Sequence, residues 1–450
     1  MKPSIPKGTR DFLPEQVAKR NYIFSVIRAA FHTYGYVPIE TPVMEKLSTL
    51  TGKYGEEGDK LLFKILNNGD YLKKADQQAL QDGNSAKLVS SIADRGLRYD
   101  LTVPFARFVT MHQNALSFPF KRYQIQQVWR ADRPQKGRYR EFYQCDADVV
   151  GSDSLMYEAE LMQLFDTVYA QLGISVTIKI NNRKVLFGIA ESQGLADHFM
   201  DMTISMDKLD KIGEERVIEE MILKGISPEQ AESVMKILQL DNLDDLEKVF
   251  QGKSEEGIKG IEELRSFHNY IDRAPTTNNL QFDISLARGL NYYTGCIFEV
   301  VSNEVQIGSI GGGGRYDDLT GVFGLKGVSG VGISFGFARI YDVMEELKLF
   351  PESVSKNIEL LIVSFDEESH THGFEVLSSL RQASVAADLY PTPTKMKKQM
   401  KYADDIRAPY VLLIGSEEMS SGLYALKNMS TGEQQKLTLA DLLSKFKDSI

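Results

Sequence analysis

Apolar positions from Val17 to Tyr34 (VAKRNYIFSVIRAAFHTY) recur at helical spacing through Tyr22, Ile23, Val26, Ile27, Ala30 and Phe31, and Gly35 is a natural stop. Tyr36 to Met44 then reads as a short strand interrupted by Pro38 and Pro42. Prolines of that kind belong on a sheet edge, or where the neighbour is another chain. Residues 51–94 are polar and resemble an insertion carrying one strand near Leu61 to Leu66. Leu97 to Thr110 predicts a strand that meets Pro104 and passes into a helix, and Ser154 to Leu172 predicts an amphipathic helix. Residues 185–275 are rich in Glu, Lys, Leu and Ile, with a helix-start signal at Ser227-Pro228-Glu229-Gln230. They predict a helical insertion into a β-rich domain, whose pattern returns from Leu280 to about Ser334.

From Ile358 onward strand and helix alternate as in small open α/β domains. The expected order is a strand to Ser364, a helix from Gly373 to Gln382 and a strand from Ser384 to Ala387. A basic helix follows from Thr394 to Arg407, then strands from Tyr410 to Gly415 and Leu423 to Lys427, and a last helix from about Thr438. The expected organisation is a first domain over 1–345, a linker over 346–357 and a second domain over 358–450.

Composition narrows the class. A chain of 450 residues exceeds one ordinary core, and 42% hydrophobic with 25% charged residues is usual for a soluble globular protein. The opening MKPSIPKGTRDFLPE has no apolar core of a secretory signal, and no run approaches a membrane span. Cys145 and Cys296 lack metal-type spacing, which points to a reducing cytoplasmic location without structural zinc. His370 and His372 have no cysteine nearby, so no metal site is expected there either. A net charge of −10 argues against general affinity for nucleic acid such as DNA, while leaving room for a local basic face.

That face is at PFKRYQIQQVWRADRPQKGRYREFYQCDADVVG, residues 119–151: a strand ending at Trp129-Arg130, a basic loop, and a strand resuming at Glu141. Lys121, Arg122, Arg130, Arg133, Lys136, Arg138 and Arg140 stand against one acid, Asp132. Guanidinium groups gathered at one mouth suit a polyanion, although a solvated surface hairpin has the same composition. On the returning strand, alternation puts Gln144, Asp146 and Asp148 on one face. Three further segments could carry chemistry. Arg288 precedes the paired Tyr292 and Tyr293; Gly311 to Gly314 are four successive glycines, by default a flexible loop; and Gly330 to Ile340 is a small-residue strand running into a helix with Arg339 in its first turns.

In this order the segments resemble the class II aminoacyl-tRNA synthetases, and specifically the histidyl-tRNA synthetase family, over nearly the whole chain. The resemblance rests on KGTRDFLP (Lys7 to Pro14), the proline-bearing first class motif at Pro42, RYDLTVPFAR (Arg98 to Arg107) and the basic hairpin as second motif. It also rests on a third motif ending at Arg339, and on LARGLNYYTG from Leu286 and GGGGRYDDL from Gly311. Asn291 stands where an aspartate is common, and residues 51–94 are longer than the bacterial norm.

The resemblance implies an α+β fold: a catalytic domain of antiparallel sheet flanked by helices, with a helical insertion, and a C-terminal α/β anticodon-binding domain. It implies a homodimer with L-histidine, ATP and tRNA(His) as partners, and magnesium on the ATP phosphates. Arg130, Arg288 and Arg339 would be catalytic, and Arg130, Arg138, Glu141 and Arg339 would bind ATP. Histidine would meet Asp100, Leu101, Thr102, Gln144, Asp148, Tyr292 and Tyr293 together with Arg130 and Arg288. The tRNA would meet Arg133, Gln135 and Lys136 at its acceptor end and Lys397 and Lys398 at its anticodon. The rival implication is an inactive histidine-sensing paralogue serving as a regulatory subunit, though the four arginines and the C-terminal domain stand complete here.

Overall fold

The structure, a computed structural model, describes residues 2–51, 61–135, 137–289, 292–355 and 358–447. The chain divides into two compact units, Met1–Leu349 and Phe350–Ile450. Strands of the first unit are, in chain order, β1 (Val37–Pro38), β2 (Met44–Lys46), β3 (Lys64–Ile65), β4 (Arg95–Leu97), β5 (Phe120–Trp129) and β6 (Glu141–Val150), then β7 (Val176–Asn182), β8 (Asn279–Phe282), β9 (Cys296–Ser302), β10 (Gly311–Tyr316) and β11 (Gly330–Phe335). Eight of them form one sheet in the order β1-β5-β6-β11-β10-β9-β7-β8, and β2, β4 and β3 form a small second sheet.

The main sheet is antiparallel through its centre, but β1 on β5 and β8 on β7 are parallel, so it is mixed rather than purely antiparallel. A parallel pair needs a long crossover, and these two are supplied by the segments that precede β5 and by the helices between β7 and β8. The latter run from Arg183–Ser192 to Glu255–Ile271, as the composition of 185–275 predicts. Ser227 and Gln230 form the expected reciprocal cap. Gly188 and Gly257 face each other so closely that a Cβ on the first would lie 2.6 Å from the Cα of the second.

Helices Pro14–Thr33 and Met156–Gln171 supply the aromatic side chains packed on one face of the sheet. Phe165 meets Phe335 edge-on at 4.9 Å, and Phe31 stacks on Tyr123 at 4.9 Å. Between residues 61 and 94 the structure holds the expected strand, β3, and adds two short helices, Gln77–Gln81 and Ser85–Ile92, capped by Asp76 and Asn84. Four-residue polar caps of this kind escape a search for apolar periodicity.

The glycine run is the largest departure from expectation, because Gly311 to Gly314 are a buried strand at the sheet's centre, not a loop. Glycine is disfavoured in strands for its entropy, so the neighbours must require it. A Cβ at Gly311 would lie 2.8 Å from the Tyr169 hydroxyl, and one at Gly313 would lie 2.1 Å from the Gly332 carbonyl oxygen. On the opposite face, Gly312 and Gly314 lie directly beneath Arg288 and Tyr293.

The second unit is a five-stranded sheet of β12 (Leu360–Ser364), β13 (Ala387–Leu389), β14 (Tyr410–Ile414), β15 (Tyr424–Asn428) and β16 (Gln434–Leu437), ordered β13-β12-β14-β15-β16. Leu360, Ile362, Leu380, Leu412 and Ile414 are central to its core. The first helix starts at Glu367, six residues before its apolar pattern begins, because the Asp366 carboxylate accepts from Ser369 N at 2.8 Å. Strand β13 falls three residues later than expected, since Ser384 holds a left-handed turn (φ 64°). Strand β16 and the short helix Ser416–Ser421 had no apolar signature.

Candidate active site

On the face of the sheet away from the aromatic core, a cavity of about 700 Å³ is lined by Asp100, Thr102, Arg130, Arg138, Gln144, Asp146, Asp148, Arg288, Tyr292 and Tyr293. Met200, Ile204, Asp207 and Lys208 of the helical insertion also line it. A second cavity of about 370 Å³ shares Arg130, Arg138, Gln144, Arg288 and Ser334 with the first and adds Arg339 and Tyr139. Asp100, Thr102, Arg130, Arg138, Gln144, Asp148, Arg288, Tyr292, Tyr293 and Arg339, all singled out from sequence, therefore line these two adjoining cavities although they come from distant segments.

The basic hairpin is less uniform than its sequence. Lys121 pairs with Glu160 at 2.6 Å, and Arg122 is completely buried with its NH2 2.7 Å from Asp148 Oδ2. Those two cations are structural partners of acids, not part of a cationic mouth. Arg140 is also engaged, donating from Nε to the Asp132 carbonyl at 3.0 Å and from its backbone to the Gly8 carbonyl at 2.9 Å. The KGTRD segment thus braces the loop. A Cβ at Gly8 (φ 90°) would meet Arg140 Cγ at 2.8 Å, and Arg10 lies over the Tyr139 ring at 3.3 Å. Arg130 and Arg138 line both cavities, and Arg133 and Gln135 are exposed at the loop tip. Lys136 and Asn291 lie outside the described residues.

Arg130 is anchored through Nε to the Tyr99 carbonyl at 2.9 Å. From the opposite wall, Arg288 NH1 donates to Glu299 Oε2 and Ser309 Oγ, both at 3.0 Å, and Arg339 NH1 donates to the Ser309 carbonyl at 2.5 Å. Burial, followed by the like charges of Arg138 and Arg288, depresses the pKa of Arg339. Cations crowded in this way are stabilised by an anion placed among them.

The deeper part of the larger cavity is acidic. Asp148 Oδ1 accepts from Tyr316 OH at 2.6 Å, while its contact with Arg122 is a close ion pair rather than an aligned hydrogen bond. Gly332 stands opposite Asp148 in the sheet because a Cβ there would lie 2.0 Å from Asp148 Oδ1. Burial raises Asp148, with Arg122 and Tyr316 acting the other way. Burial also pushes Tyr293 up to about 12 and raises Tyr292, so both hydroxyls stay protonated and able to donate. Asp100 Oδ1 accepts from Val103 N at 3.3 Å at the start of helix Thr102–His112.

Of the residues expected to bind histidine or ATP, two line neither cavity. Leu101 is fully buried just before that helix, and Glu141 Oε2 accepts from Trp129 Nε1 at 2.9 Å. Other signature residues have structural work. Arg98 is buried and donates to the Thr41 carbonyl at 2.7 Å and to Gln126 Oε1 at 2.9 Å; Arg107 pairs with Glu45 at 2.7 Å. Arg315 grips Glu158 with two bonds, at 2.5 and 2.6 Å. Sequence reasoning gave no role to Tyr316, which lies within the GGGGRYDDL signature, or to Glu299 and Ser309, which show no pattern of their own. It placed Asp146 on the correct face without giving it a role. In the second unit, Lys397 and Lys398 are exposed on helix Met396–Asp405.

Comparison with known proteins agrees with this geometry. The family profile described as histidyl-tRNA synthetase matches residues 8–74 and 69–340, and the anticodon binding domain profile matches residues 359–449. The histidine–tRNA ligase of Christiangramia forsetii is 58% identical over 444 residues, covering 97% of each chain. That of Bacteroides fragilis is 56% identical over 446 residues, covering 98% of each. Among solved structures, a histidyl-tRNA synthetase from a Nostoc species superposes with a TM-score of 0.84 at 29% identity over 100% of both chains. Two arginine-lined cavities on a mixed sheet, the signature segments around them and full-length similarity at this level show that the chain belongs to the histidyl-tRNA synthetase family.

Proposed function

We propose that the two joined cavities are halves of one activation site, the larger holding the amino acid and the smaller the nucleotide's phosphates. The overall reaction is that of a histidine–tRNA ligase. A carboxylate oxygen of histidine bonds to the α-phosphorus of ATP, the bond to the β-phosphate oxygen breaks, and histidyl-adenylate and pyrophosphate form. A hydroxyl at the 3′ end of tRNA(His) then takes the histidyl group and AMP leaves. The family uses ATP with magnesium in general; here magnesium would enter on the β- and γ-phosphates. Such chemistry needs positioning and charge neutralisation more than a covalent group.

The observation that carries this reading is the division of one continuous wall. Guanidinium groups crowd one side, and Gln144 Oε1 and Asp146 Oδ1 are buried acceptors without hydrogen-bond partners on the other. Arg130 and Arg288 would hold the α-phosphate from opposite sides. Arg138 and Arg339 would hold the β- and γ-phosphates, with Glu141 near the adenine. Asp100 and Thr102, with Leu101 between them, and Gln144 would receive the α-ammonium.

A neutral imidazole presents one N–H and one bare nitrogen. Asp148 can accept from the first and the protonated Tyr293 hydroxyl can donate to the second, beside Tyr292. A site so built rejects apolar isosteres through its own unpaired groups. Arg133 and Gln135 would meet the acceptor end, and Lys397 and Lys398 the anticodon. A homodimer is supported by the exposed Val37, Val43, Met44 and Met111 around the first motif. No helix among the described residues is long and apolar enough to cross a membrane, in keeping with a cytoplasmic enzyme. The regulatory-paralogue alternative is not favoured, since the relatives similar over nearly the full chain are ligases. Arg288→Ala should abolish histidine-dependent ATP–pyrophosphate exchange in a folded protein; near-normal exchange would refute its role.

A further inference from the structure

The larger cavity holds more acid than the reading above uses. Asp146 lies between Gln144 and Asp148 on the same face of β6, is 3% exposed, lines the cavity, and has Oδ1 without a hydrogen-bond partner. The groups facing it are Arg122 and Gln124 from β5, Asp148 from its own strand, Ser334 from β11, Asp100 from the segment before helix Thr102–His112, and Tyr293. Arg122 is the buried cation among them, and it is committed at 2.7 Å to Asp148. Asp148 is therefore nearly neutralised and further held by Tyr316, which suits a neutral ring N–H. Asp146 meets Ser334 and the field of Arg122 but leaves Oδ1 without a hydrogen-bond partner, which suits an arriving cation.

We infer that Asp146 binds the α-ammonium of the substrate histidine, alongside Gln144, and so helps select an amino acid over its deaminated analogue. The inference rests on the histidine-binding reading of this cavity and deepens it. In the empty cavity burial first, then Asp148 and Asp100, push Asp146 up to about 7 against the pull of Arg122 and Ser334. An arriving ammonium favours the ionised form, so histidine binding should expel a proton that a ligand without an ammonium would not.

The test compares L-histidine with imidazolepropionate, which differs from it by loss of the α-ammonium, in calorimetric titrations of the full-length protein. Near pH 7, in two buffers of different ionisation enthalpy and after subtracting each ligand's own ring titration, histidine should release roughly half a proton more from the protein than imidazolepropionate. Equal proton release would overturn the inference without any variant. In Asp146→Asn, histidine should weaken roughly ten- to hundredfold, with imidazolepropionate within about twofold and the ATP KM unchanged. Equal weakening of both ligands would show a structural or ring-binding role and sink the proposal, as would no change in either. Failure of the wild type to bind histidine would instead overturn the parent reading.

Discussion

Gly312→Ala tests whether the glycine strand exists to seat a catalytic guanidinium. A Cβ at Gly312 would stand 2.6 Å from Arg288 Cζ, 2.8 Å from NH1 and 2.9 Å from Nε. Heavy atoms settle at about 3.5–4.0 Å, so the guanidinium must retreat by roughly 1 Å. That retreat strains its bonds to Glu299 and Ser309. A displacement of this size can cost on the order of a hundredfold in rate, equivalent to about 2.7 kcal/mol of transition-state stabilisation.

The fold should survive, because the obstructing atoms end a flexible side chain and alanine relieves about 0.5–1 kcal/mol of the entropy lost by a strand glycine. The expected result is a near-normal melting temperature with kcat for histidine-dependent pyrophosphate exchange reduced about a hundredfold. Gly313→Ala is the contrast: its Cβ would lie 2.1 Å from the Gly332 carbonyl oxygen and 2.8 Å from Ile333 Cα. A neighbouring strand's backbone cannot swing aside, so that variant should fail to fold. Exchange within threefold of wild type for Gly312→Ala, or unfolding alongside Gly313→Ala, would refute the reasoning.

Three further outcomes follow from the buried charges. Glu158→Ala strands the Arg315 guanidinium and should destabilise the first unit by roughly 3–5 kcal/mol in urea unfolding; a loss under about 1 kcal/mol would contradict the pairing. Arg122→Met keeps the packing against Phe105 but removes the charge that opposes the raised Asp148. Its histidine KM should rise and grow more pH-dependent, measured across pH 6 to 8.5. Asp146 has a folded pKa of about 7, above its unfolded value, so the native state binds more protons and this group's contribution falls as pH rises between those values. Asp146→Asn should therefore stabilise the ligand-free protein at pH 8 by up to about 4 kcal/mol, with the gain fading toward pH 4; a constant gain across that range would exclude the titration.

Much of this site is legible in the sequence because its chemistry is written in local runs. A strand, a basic loop and a returning strand announce a hairpin, and period-two alternation alone puts Gln144, Asp146 and Asp148 on one face. Arg288 and Arg339 were found through the signatures around them. What misled was treating charge as additive along the chain. Lys121 and Arg122 lie in the same basic run as Arg130 and Arg138, yet two β-strand residues per 7 Å of rise carry them away from the mouth to Glu160 and Asp148.

The sequence by itself determined the helices with apolar periodicity, the hairpin, the helical insertion and the alternating second unit, because these depend on spacings of a few residues. It also determined the family, through the order of its signatures. The tertiary structure alone decided that four glycines form a buried strand, that the sheet is parallel at both edges, and that Arg122 contacts Asp148 while Asp146 Oδ1 has no hydrogen-bond partner. Each of these depends on groups brought together across strands, where a missing Cβ or a 2.7 Å charge contact sets the outcome. No local pattern encodes such distances, and they set Asp148 against Arg122 and Tyr316 while leaving Asp146 Oδ1 without a hydrogen-bond partner.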